Sequence, residues 1–114
     1  MAKGYVTTAH DEITGNATSA EIFCEHHNAI LIEHIVTNAT NQTCEGKVYG
    51  SMTRTGAKVP VYDRDKSAQM TTGAISTNRT IHLIGIPDYI VISATLTNTT
   101  ASGTTTLNVQ PFTI

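Results

Sequence analysis

Apolar and polar residues alternate with a period of two wherever a pattern is sustained along the chain, and no apolar stripe recurs at helical spacing. The densest stretch is 81–96, where β-branched residues crowd around a Pro-Asp corner; it predicts two buried strands joined by a turn, paired as a hairpin. Within it, Ile90, Ile92, Ala94 and Leu96 share one face, while Tyr89, Val91 and Ser93 share the other. Gly85 and Pro87 mark the bend, because proline cannot donate to a strand ladder.

The same alternation predicts strands elsewhere. In 29–36, Ile30, Ile32 and Val36 lie on one face with His34, and Leu31 and Ile35 lie opposite with Glu33. Thr37 to Gln42 is turn chemistry, since Asn tolerates left-handed backbone, and it is expected to close a hairpin onto 43–53. There Cys44, Gly46, Val48 and Gly50 share a face. Residues 57–62 read as an edge because Pro60 lacks a donor, residues 21–24 as a short strand and 68–72 as a weak one. Leu107 and Val109 face inward in a closing strand over 104–112. The first twenty residues show no sustained period and read as an N-terminal arm, domain 1–20, ahead of a sandwich domain, 21–114. Turns about every ten residues specify an all-β fold, an antiparallel sandwich of about eight strands, jelly-roll-like or immunoglobulin-like.

Composition narrows the function. At 114 residues the chain makes one domain with a thin core. Charged residues are only 14% of it, with Thr and Asn in their place, and an uncharged hydroxyl and amide surface is cheaper to desolvate on assembly. The net charge of −2 without Lys/Arg clusters argues against nucleic acid. No apolar run is long enough to span a bilayer and no basic-then-apolar leader opens the chain, so the expectation is no membrane and synthesis in the cytosol.

No residue set spells out a reaction, and no catalytic, cofactor or metal residues are assigned. His26-His27 invites a metal, but in an extended chain the two rings point to opposite faces. His34 reads as a core or interface histidine bonded to backbone. Asp63-Arg64-Asp65 begins like a calcium loop but lacks the downstream Gly and Glu, which leaves a solvated turn. His10-Asp11-Glu12 offers acids and a base on a segment that reads as mobile, and catalysis needs groups held rigidly. Cys24 and Cys44 belong to no metal or redox spacing; a disulfide between them is open, and two reduced, buried thiols are favoured. Five Asn-x-Thr triplets, at Asn16, Asn38, Asn41, Asn78 and Asn98, read as a by-product of Thr/Asn-rich turns.

The order of strands and turns, with Val48-Tyr49-Gly50-Ser51 ending one strand, Gly56 in the loop after it, and Gly85, Pro87 and Tyr89 at the penultimate corner, resembles small β-sandwich virion proteins of tailed bacteriophages. The resemblance covers roughly 21–112. It departs at the loop, where Met52-Thr53-Arg54-Thr55 stands instead of an Asp-Gly and a Trp. It implies a non-enzymatic virion subunit, foremost a capsid decoration or cement protein. Such a subunit would self-associate, with a trimer as the guess, and bind the major capsid protein or other virion subunits. Two alternatives stay open: a glycan-binding module on a tail or fibre, with Tyr5 and Tyr62 as the candidate exposed rings and Tyr49 and Tyr89 expected to be buried, and a tail-tube or head-completion subunit.

Overall fold

The computed structural model describes residues 3–37, 42–63, 67–97 and 103–114. Among these residues nine strands form two antiparallel sheets: β1 (Thr7–Ile13), β2 (Ala17–Thr18), β3 (Ile22–Phe23), β4 (Ala29–Thr37), β5 (Thr43–Ser51), β6 (Val59–Pro60), β7 (Arg79–Ile84), β8 (Tyr89–Thr97) and β9 (Thr104–Phe112). One sheet has the order β1-β9-β4-β7; the other runs β2-β8-β5-β6, with β3 also on β8.

This order follows from one long hairpin folded over on itself. Counting β2 and β3 as two halves of one strand, β1 pairs with β9, β2/β3 with β8, β4 with β7 and β5 with β6. The hairpin's tip is the loop between β5 and β6. Wrapping that double ribbon around a common core sends the legs alternately to one sheet and the other, which is a jelly roll. Sequence neighbours therefore seldom pair. The hairpin expected across Thr37–Gln42 does not form, because β4 and β5 lie in different sheets; its residues 38–41 fall outside those described. The expected β7–β8 hairpin does not form either: β7 pairs with β4 and β8 with β5.

The inward faces are those the alternation marks. Ile30 and Ile32 of β4, Val48 of β5, Ile90 and Ile92 of β8, and Leu107 and Val109 of β9 are all buried in one core. Full burial of each such side chain is worth about 1.5–3 kcal/mol, so these seven dominate the hydrophobic term. Gly46 and Gly50 serve that packing. A Cβ on Gly50 would run into the Pro87 ring, and one on Gly46 would lie 3.1 Å from Ile92 Cγ2.

The described part of the expected arm, residues 3–20, is packed onto the sandwich. β1 pairs with β9, and its register slips twice, between Thr8 and His10 and again between His10 and Ile13, where Glu12 has a φ of 50°. The chain then crosses to the other sheet and follows β8 down its length. Asn16 Oδ1 accepts from Leu96 N–H at 2.8 Å, Ser19 Oγ from Ile92 N–H at 2.9 Å, and Cys24 N–H donates to Asp88 O at 2.7 Å. His10 is buried and its Nε2–H reaches across to Ile92 O at 2.8 Å, tying the sheets together along this side. What orders the segment is hydrogen bonding rather than an apolar period.

The middle of the chain seals the opposite side. The weak strand expected over 68–72 appears as isolated bridges, Lys47 with Thr71 and Tyr62 with Gln69, and Met70 and Ile75 are buried there. Ile75 exchanges both backbone bonds with Cys44, and Met70 O accepts from Val48 N–H. The edge of β5 is therefore covered beyond the two residues of β6.

Candidate interaction surfaces

Each sheet turns one face outward, and these faces carry the exposed chemistry. On the β1-β9-β4-β7 sheet a polar row crosses three strands. Thr8 Oγ1–H donates to Asn108 Oδ1 at 2.8 Å, and Asn108 Nδ2–H donates to Glu33 Oε1 at 2.9 Å. Toward the other end the face becomes apolar. Phe112 lies edge-on to His82, with ring centres 5.9 Å apart, and Ala29 stands in register between Phe112 and Ile84. These rings, with Ile84, Thr113 and Ile114, line a shallow dish of about 630 Å³. Ile114 N–H is anchored on Asn28 Oδ1 at 3.1 Å, so the dish has a fixed rim.

On the β2-β8-β5-β6 sheet the outward feature is aromatic. Phe23 of β3 stands opposite Tyr89 of β8, and their rings stack with centres 5.2 Å apart. His26 meets Phe23 edge-on and pairs through Nδ1 with Asp88 Oδ2 at 2.8 Å. Glu25 and His26 both take left-handed backbone, with φ of 54° and 62°, which non-glycine residues seldom adopt. Nearby, Glu21 fixes the hairpin tip, accepting from Lys58 Nζ at 2.6 Å and Thr55 N–H at 2.7 Å. The hydrogen bond from Lys58 lowers its carboxyl pKa below the usual value.

The residues singled out in the sequence are scattered. Because His26 is left-handed rather than extended, the ring-opposition argument does not apply to it. His26 and His27 nonetheless part company, His27 Nδ1 bonding to Thr113 Oγ1 at 2.6 Å. Among the described residues no three His, Cys, Asp or Glu side chains gather as metal ligands would. His10 is held in a strand, which corrects the expectation of a mobile segment. Asp63 accepts from both N–H and Oγ–H of Ser67, closing a turn; Arg64 and Asp65 lie outside the described residues. Asn16 and Asn78 are structural, Asn78 Oδ1 accepting from Val36 N–H at 2.8 Å. Asn38, Asn41 and Asn98 lie outside those described.

His34 is fully buried, as expected of a core residue bonded to backbone. Its Nδ1–H donates to Thr77 O at 2.9 Å, while Nε2 has no protein partner. Burial lowers its pKa, opposed by the Thr77 bond and reinforced by Arg79. Cys24 and Cys44 are free and buried; burial pushes their thiols up to about 12 and about 11, so neither is a ready nucleophile. Tyr5 and Tyr62 are exposed, whereas Tyr49 and Tyr89 are half-buried rather than enclosed. Sequence reasoning missed Phe23 and the dish. The signal for Phe23 was its place one step out of phase with the inward Ile22.

Among the described residues no helix is long and apolar enough to cross a membrane. No protein-family model matches the chain, and no curated protein matches it. Among solved structures the fold is similar to the SPBc2 prophage-derived protein YomS. The TM-score is 0.61 at 16% identity, covering 96% of this chain and 92% of that one. At that identity the likeness speaks for the fold, a sandwich shared from end to end.

Proposed function

We propose that this protein is a non-enzymatic bacteriophage structural protein, and that its specific role is a capsid decoration subunit that stabilises the phage head through contacts with the major capsid protein and with copies of itself. The observation that carries the reading is the end-to-end likeness to a prophage-derived protein of the same size and fold. The surfaces agree with it. The exposed features are an uncharged apolar dish, a stacked aromatic pair and a polar ladder spread over two flat faces, a layout suited to contact with protein rather than enclosure of a substrate. A virion location follows, after synthesis in the host cytoplasm.

The test is quantitative mass spectrometry of particles purified from an induced lysate of the encoding strain. A copy number comparable to that of the major capsid protein supports decoration. A handful of copies per particle points instead to a tail or head-completion position, and absence from particles overturns the reading.

The Phe23–Tyr89 pair favours one other reading, a module that stacks its rings on a surface glycan. Aromatic faces bind sugar rings, and Tyr62, more than half exposed, adds a third ring. Glycan-array binding lost in Tyr62→Ala or Tyr89→Ala would move this reading to first place.

A further inference from the structure

An edge strand offers unpaired N–H and C=O groups to any other strand, and proteins blunt such edges with short strands, bulges, prolines or charge. Among the described residues, three of the four sheet edges are blunted. β1 carries two register slips, β2 and β3 are two residues each, and β6 is two residues including Pro60. β7 is not. It runs six residues, Arg-Thr-Ile-His-Leu-Ile, without proline, without a slip against β4, and with a single charge at its start.

The phase of its hydrogen bonds can be read from its end. Gly85 N–H donates to Asn28 O at 2.7 Å, one step beyond the Ala29–Ile84 pair. Bonded and non-bonded pairs alternate in an antiparallel ladder. Residues 81 and 83 therefore turn their backbone groups toward β4, and Thr80, His82 and Ile84 turn theirs away from it, to the free side. All three are exposed, Ile84 at 55%, while the inward Ile81 and Leu83 are only half-covered at this margin of the core.

We propose that β7 pairs antiparallel with β7 of a second copy of this chain about a two-fold axis at His82, joining two four-stranded sheets into one of eight. This deepens the self-association part of the proposed function. A two-fold axis centred on a residue keeps the inner faces aligned, because opposed residues in an antiparallel pair share a face, and His82 is the middle one of the three residues whose backbone groups turn away from β4. Thr80 then stands opposite the partner's Ile84, and Ile81 opposite the partner's Leu83, so two half-covered apolar residues complete each other. Arg79 falls opposite the partner's Gly85, which has no side chain, so no like charges meet within the strand. A strand of another protein could use the same backbone groups but would lack this matched register. The pairing engages one six-residue strand of each copy, so a reversible, concentration-dependent dimer is expected.

The test is solution mass measured by light scattering across a range of protein concentration. The wild-type chain should rise from its 12.2 kDa monomer toward twice that mass. His82→Pro should remain monomeric at every concentration, with dimerisation weakened at least tenfold. Because the His82 N–H faces away from β4, its melting temperature should stay close to wild type. His82→Cys should cross-link to a reducible dimer on mild oxidation, the Cα separation of about 5.5 Å in a bonded pair lying within disulfide range. A wild-type monomer at all concentrations, a three-copy mass, or a dimer that survives His82→Pro with no cross-link in His82→Cys would overturn the proposal. Solution mass needs no particle, so this result and the copy number in particles succeed or fail separately.

Discussion

β7 and β8 are drawn from one vocabulary, Ile, Leu and Val with a few polar residues between, and they follow each other in the chain. Their fates differ. Inward Ile90 and Ile92 of β8 are fully buried between β2/β3 and β5, whereas the inward Ile81 and Leu83 of β7 are only half-buried at the end of its sheet. Apolar content gives a strand its tendency to bury a face. The wrapped hairpin decides whether it has neighbours on both sides. In this molecule the interior strand carries stability, and we assign the marginal one to contact.

The contrast can be broken most sharply at the core. Ile92→Ala should cost about 2–5 kcal/mol, read as a drop in the urea midpoint, because the cavity it leaves lies where both sheets meet. Ile84→Ala should cost less than about 0.5 kcal/mol, since its side chain is largely in water. Equal losses at the two sites would mean that Ile84 is not on an exposed outer face. Gly50→Ala comes next, at about 1–3 kcal/mol, because its Cβ would displace Pro87 at the corner leading into β8.

Acid sharpens the comparison from the β4 side. His34 is buried and its pKa is held below the ordinary imidazole value, so the unfolded chain takes up a proton near pH 6.5 that the folded chain resists. Its contribution is fully present above that pH and is lost as the pH falls below it. Denaturation midpoints compared at pH 8 and pH 5 should fall for wild type and fall less for His34→Leu, whatever that variant's absolute stability. A modest effect, still above that of Ile84→Ala, belongs to the side-chain bonds that hold the margins. Asn16→Ala and Asn78→Ala should each cost about 1 kcal/mol, since each strands a backbone N–H of Leu96 or Val36.

Much of this was legible in the sequence wherever a strand is buried on one face. The inward sets of β4, β5, β8 and β9 follow from alternation alone, because a face that packs on a core must repeat every second residue. Two things were not. Pairing partners far apart in the chain leave no local mark, so β7 and β8 read as a hairpin although they lie in different sheets. And residues 7–18 are ordered by backbone pairing, by the crossing His10 and by Asn16, none of which imposes a hydrophobic period. Of the outward surfaces, Tyr5 and Tyr62 were legible as exposed. Phe23 and the Phe112–His82 dish were not, because they exist only once β3 meets β8 and β9 lies two strands from β7.

The central claim is that the molecule's open margin and outer faces are made for other protein. It is tested most directly by amide-resolved hydrogen exchange on dilute protein and on the same protein in purified particles. The account predicts that Thr80, His82 and Ile84 exchange rapidly in dilute solution and become protected in the particle, while Ile90 and Ile92 are slow in both. Exchange that is the same in both states across β7 and both outer faces would contradict it.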